Sequence, residues 1–153
     1  QRAWVIIEKF AAYTVSIIGV VAMIYIGMTV GVAFSGVELN MNALTSVIIM
    51  LIPVLTFVMA FTMLVATIVR RRQVALGIVT AFVVASFMIQ MLGAMAEGTF
   101  AEPIGWISFF TYYNAGNILA DGFVWAHIIG LTILSLVLIG LSVQRFEQRD
   151  VGI

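Results

Sequence analysis

Four long apolar runs, near residues 11–34, 43–69, 74–96 and 123–143, constrain this chain more than any other feature of it. Crossing about 30 Å of hydrocarbon takes roughly 20 helical residues, and each run supplies that length. Helix is imposed by the medium, because a lone strand would leave its backbone N–H and C=O groups unpaired in lipid. The alternative, a water-soluble domain, is excluded by what the chain lacks. Only 9% of its 153 residues are charged and its mean hydropathy is +1.20, whereas a soluble domain carries about 25% charged residues. The expected fold class is an all-α polytopic membrane protein of about four transmembrane helices, with residues 1–153 forming a single transmembrane domain.

The connections differ in character. "SGVELNMN" between the first two runs is a polar turn, and "RRRQ" between the second and third is too short for anything but a tight connection. Pro53 falls inside the second run and is expected to kink it, which membrane helices tolerate when neighbours re-satisfy the freed backbone groups. Residues 98–121, between the third and fourth runs, are too few to cross twice and too aromatic for a plain loop. Pro103 makes a helix start, and Trp106, Phe110 and Tyr113 share one face if the segment is helical. A short helix or broken pair of helices is expected there, lying in or dipping into the interface where Trp and Tyr are favoured. The same three aromatics are candidates for an outer gate.

The charges sort by side. Formal net charge is zero, so the sum says nothing of partners. With four crossings, however, Arg2, Lys9, Arg70, Arg71, Arg72, Arg145 and Arg149 all fall on one side, and these are all seven cations of the chain. Glu38, Glu97, Glu102 and Asp121 fall on the other. The positive-inside rule makes the basic side cytoplasmic, with both ends of the chain there. "QRAWVIIEKF" has neither an initiator Met nor a signal-peptide pattern, so the chain is expected to be a fragment or a processed piece.

Little in the chain points to chemistry of its own. Absence of Cys removes thiol catalysis and thiolate metal sites, His127 stands alone as an interfacial histidine, and no phosphate-binding glycine loop or metal-ligand spacing is present. No enzyme activity, metal or resident cofactor is expected, and no nucleic-acid partner. Ser86, Gln90, Gly93 and Glu97 recur on one face of the third span. A glutamine at mid-span must find a hydrogen-bond partner, so this face looks inward, as interhelical glue or as a substrate-facing stripe along a translocation path. Gly27 and Gly31 have the four-residue spacing that lets helices approach closely, within the chain or between copies. Met88, Met91 and Met95 are packing residues.

The terminal "RFEQRDVGI" resembles the end of ABC-2 type permeases, the transmembrane subunits of ATP-binding-cassette exporters, whose last span runs into a cytoplasmic Phe-x-x-Arg-Asp tail. "WISFFTYYNAGNILADG" is similar to that family's segment before the last span, "RRRQVALGIV" to its basic inner loop, and "QRAWVIIEKFAA" to the charged lead-in to its third span. The four segments occur in the family's order and cover most of the chain. The resemblance implies spans three to six of a six-span subunit, without the first two spans and the loop bearing the main coupling helix. Phe109 and Phe110 stand where the family often has a proline. It further implies a re-entrant outer hairpin before the last span, a location in the cell inner membrane, and a dimer with a second permease copy or paralogue. Cytoplasmic ATPase subunits would hold the ATP and magnesium. Residues matching the tail and inner loop, Arg145, Phe146, Glu147, Arg149, Asp150, Arg70, Arg71 and Arg72, would then couple to the ATPase. Two other functions fit the same composition: a non-catalytic anchor or scaffold subunit of a larger complex, and a secondary transporter using Glu97 or His127 as its proton site.

Overall fold

The computed structural model describes residues 2–36, 40–96, 98, 102–113, 118 and 124–147. Four long helices carry it: α1 (Arg2–Ser35), α2 (Met41–Ile68), α3 (Arg72–Met95) and α4 (Trp125–Glu147). No strand occurs among the described residues. All four helices are long and apolar enough to cross a membrane, and each exposes large hydrophobic side chains on its outward face, from Ile7 and Met23 on α1 to Leu136 and Leu141 on α4. The protein is an all-α, multi-pass membrane protein.

Local chemistry sets the ends. α1 stops at Ser35, where Gly36 takes a positive φ of 66°; a residue without Cβ closes a helix this way at little cost. At 34 residues, or about 51 Å at 1.5 Å per residue, α1 outreaches the hydrocarbon, so its charged lead-in with Glu8 and Lys9 continues the same helix out of the membrane. Asn40 caps α2, its side-chain oxygen accepting from the backbone N–H of Asn42 (3.1 Å) and Ala43 (3.3 Å). Between α2 and α3 only Val69, Arg70 and Arg71 are non-helical, and Val69 and Arg71 are extended. Arg72 already belongs to α3, two residues before the expected start of the span. α4 continues past the expected boundary at 143, so Arg145, Phe146 and Glu147 are its last turn rather than a detached tail. Arg145 there complements the negative end of the helix dipole.

α2 is the central helix. One third of its most apolar window is buried, against 6% for α1, 11% for α3 and 17% for α4. It passes unbroken through buried Pro53 and packs most extensively against α4, with α1 and α3 as its other neighbours. Small residues allow the close approach: Ala60 on α2, and Ser135 and Ser142 on α4, are essentially fully buried. Each of those serines donates to its own helix, Ser135 to Leu131 O (2.7 Å) and Ser142 to Leu138 O (2.8 Å), which hides a polar group where no water is present. Val21 of α1 meets Leu44 and Ile48 of α2 in a second apolar cluster. Tyr25 and Thr45 tie the same two helices by a hydroxyl–hydroxyl hydrogen bond of 3.3 Å.

Candidate functional site: a re-entrant segment

Two 3-10 turns, Glu102–Ile107 and Phe109–Tyr112, follow α3 with Ser108 between them. Their depth follows from what they touch. The Ser108 hydroxyl donates to the Ser86 carbonyl (2.6 Å), and Ser86 lies nine residues before the end of α3, about 14 Å along its axis. The Phe109 ring packs on Phe57 of α2 (5.4 Å between centroids) and Phe82 of α3 (5.7 Å). Both partners sit near the middle of their helices. The segment therefore turns back into the bundle.

Irregular backbone is tolerated at membrane depth only where protein or a wet cavity covers it, and this segment meets that condition by bonding to itself. Gly105 O accepts from Ser108 N–H (3.0 Å), Ser108 O from Thr111 N–H (3.2 Å) and Phe110 O from Tyr113 N–H (3.0 Å). Ser108 Oγ also accepts from Phe110 N–H (3.2 Å), so one fully buried hydroxyl serves two backbone groups. Thr111 Oγ1 donates to Gly105 O, and the Tyr112 hydroxyl to Trp106 O. Among the described residues no buried side-chain nitrogen or oxygen lacks a partner. Against α3 the fit is tight. A Cβ added to Gly105 would stand 3.2 Å from Gly93 Cα.

The sequence-derived candidates distribute unevenly. Ser86 and Gly93 are buried and Gln90 half-buried, on the α3 face that meets the re-entrant segment. These three residues face inward, and Ser86 and Gly93 meet the re-entrant segment through backbone atoms. Glu97 lies outside the described residues. Phe110 and Tyr113 both pack on the central cluster of Val54, Phe57 and Phe109, while Trp106 is 62% exposed. The three do not share one helical face, because Ser108 breaks the segment into two turns after Ile107. Met88, Met91 and Met95 point outward, as does the Gly27 and Gly31 face of α1, where an added Cβ would meet nothing within 4 Å. No intrachain partner uses that close-approach spacing among the described residues.

On the basic side, Arg70, Arg71, Arg72 and Arg145 are exposed and Phe146 is half-buried. Arg149 and Asp150 lie outside the described residues. His127, in the first turn of α4, is half-buried with its ring edge-on to Tyr112 (5.2 Å, 83°). Sequence reasoning passed over Ser108, Gly105 and the ring cluster of Phe57, Phe61 and Phe82. A serine inside "WISFF" carries no spacing signal, and the rings come from two separate helices. No group of three or more metal-ligating side chains occurs among the described residues.

The chain matches no protein-family model, no curated protein and no solved structure.

Proposed function

We propose that this chain is the C-terminal part of the transmembrane permease subunit of an ATP-binding-cassette exporter of the ABC-2 type. The observation that carries the reading is the ordered resemblance of four segments, ending in "RFEQRDVGI", together with seven cations confined to one side of a four-span chain. A segment that turns back into the bundle before the last span supports it, since the resemblance implies a re-entrant hairpin at that place.

Under this reading the basic side is cytoplasmic in the cell inner membrane, and the permease works as a dimer by alternating access. Closure of partner ATPases on ATP rearranges the membrane halves and opens the path outward. Ser86, Gln90 and Glu97 are the path candidates, with Trp106, Phe110 and Tyr113 at its outer end. Arg70, Arg71, Arg72 and the alternating charges of Arg145, Glu147, Arg149 and Asp150 are the handles by which an ATPase acts. Mixed signs favour a defined polar contact, whereas simple attraction to anionic headgroups needs only arginines.

The test is purification of the whole complex from its native membrane, assayed for vanadate-sensitive ATP hydrolysis with the wild-type chain and with Asp150→Lys. The reading expects bound ATPase activity that the substitution uncouples while membrane insertion is unchanged, since acidic residues contribute little to topology. Absence of any ATPase, or transport that stops on collapse of the proton gradient while ATP is held constant, overturns it.

A further inference from the structure

The connection between α2 and α3 carries charge of one sign only. Arg70, Arg71 and Arg72 are all exposed, and from Met41 to Met95 they are the only charged residues. Neither flanking helix supplies a carboxylate to neutralise them. Only Val69, Arg70 and Arg71 separate the two helices, and Arg72 opens α3, so three guanidiniums are crowded into one short turn. The loop has the arginine-only character that attraction to headgroups requires, unlike the alternating charges at the end of α4.

Height relative to the bilayer decides what they meet. α3 has 24 residues, about 36 Å at 1.5 Å per residue. That exceeds the roughly 30 Å hydrocarbon core and falls short of the roughly 40–45 Å that includes the headgroups. α2, with 28 residues, reaches about 42 Å, inside the same limit. Exposed Ile68 on α2 and exposed Val74 on α3 flank the loop, so apolar surface continues almost to the arginines. The linking residues must return at once to Arg72 at the start of α3, which keeps the loop within the headgroup layer. Its guanidiniums therefore lie at the level of lipid phosphate, and each presents a planar fork that matches phosphate oxygens bidentately.

We propose that the loop of Arg70, Arg71 and Arg72 binds the phosphate headgroup of an anionic phospholipid drawn from the leaflet on the basic side. A zwitterionic headgroup sets its own ammonium against the arginines, so net negative charge gives the preference. The site is independent of what the protein transports, and it stands whether or not a soluble partner also touches the loop.

Native mass spectrometry of the intact protein, released from mild detergent with equal mole fractions of phosphatidylglycerol and phosphatidylethanolamine, tests this. Wild type should retain one phosphatidylglycerol per chain, favoured about tenfold or more over phosphatidylethanolamine. Arg71→Gln, which leaves the other cations of that side to fix the orientation, should lower the preference about fivefold. Arg70→Gln, Arg71→Gln and Arg72→Gln combined should abolish it. The matched control combines Arg2→Gln, Lys9→Gln and Arg145→Gln, which removes the same charge from the same side but from other elements, and it should keep most of the preference. Equal losses in the two triple variants overturn the proposal, since the attraction would then belong to the whole face and not to the loop. Equal retention of both lipids by wild type also overturns it and leaves the loop to a soluble partner. Displacement of the lipid by inorganic phosphate at constant ionic strength overturns it too, because the site would then take its phosphate from solution.

Discussion

Ser108→Ala is the sharpest perturbation of the re-entrant segment. The hydroxyl is fully buried, donates to Ser86 O at 2.6 Å and accepts from Phe110 N–H at 3.2 Å. Loss of the inter-element bond costs about 0.6 kcal/mol, with about 1.7 as the upper end for such bonds inside membranes. Phe110 N–H loses this acceptor as well, and an unsatisfied donor adds about 1–3 kcal/mol. Together these give a destabilisation of about 2–4 kcal/mol, or roughly 30- to 900-fold in the folding equilibrium. Ser135→Ala is the matched control. Ser135 is equally buried, but its hydroxyl bonds only Leu131 O of its own helix. That carbonyl remains in the α-helical ladder after the hydroxyl is gone, so the loss should stay below about 1 kcal/mol. Unfolding of purified protein in mixed micelles by SDS titration, followed by circular dichroism, measures both. Equal effects of the two substitutions would refute the claim that Ser108 holds the segment at depth.

Gly105→Leu should cost about 1–3 kcal/mol by overpacking against the α3 backbone, because the first added carbon would stand 3.2 Å from Gly93 Cα. Gly140→Ala, where an added Cβ meets open space, should be neutral or stabilising by up to about 1 kcal/mol, and the same SDS titration distinguishes them. Gln90→Leu, at a half-buried position on the face of α3 that meets the segment, should change thermal stability or transport, whereas Met88→Leu, at an exposed position, should be nearly silent.

How much of this was legible in the sequence depends on the range of the interaction. The four spans follow from hydropathy and length alone, because lipid leaves a long apolar run no other structure. Their ends moved by two residues where a polar side chain caps the helix, as at Asn40, and by four to nine where charged residues continue it, as at Arg145 to Glu147 and at Arg2 to Lys9. The inward face of α3 was also legible, since a mid-span glutamine and serine are costly against lipid. What they face was not. The Ser86 contact uses its backbone carbonyl, which every residue has. The cluster at Phe109 joins rings separated by more than twenty positions in the chain. The shared face expected for Trp106, Phe110 and Tyr113 presupposed one continuous helix, and the break at Ser108 sends Trp106 outward.

The depth of residues 102–113 in the bilayer is the central claim, and the cysteine-free chain makes it directly measurable. A single nitroxide placed by cysteine substitution at Ile107, which is 77% exposed, reports depth from its relative accessibility to oxygen and to a polar nickel chelate. Labels at the outward-facing Met88, Met91 and Met95 of α3 provide the ruler in the same membrane. The account places Ile107 at or below the level of Met91, with high oxygen and low nickel accessibility. A label at Ile107 as accessible to nickel as one at Met95, or more so, would put the segment at the membrane surface and contradict it.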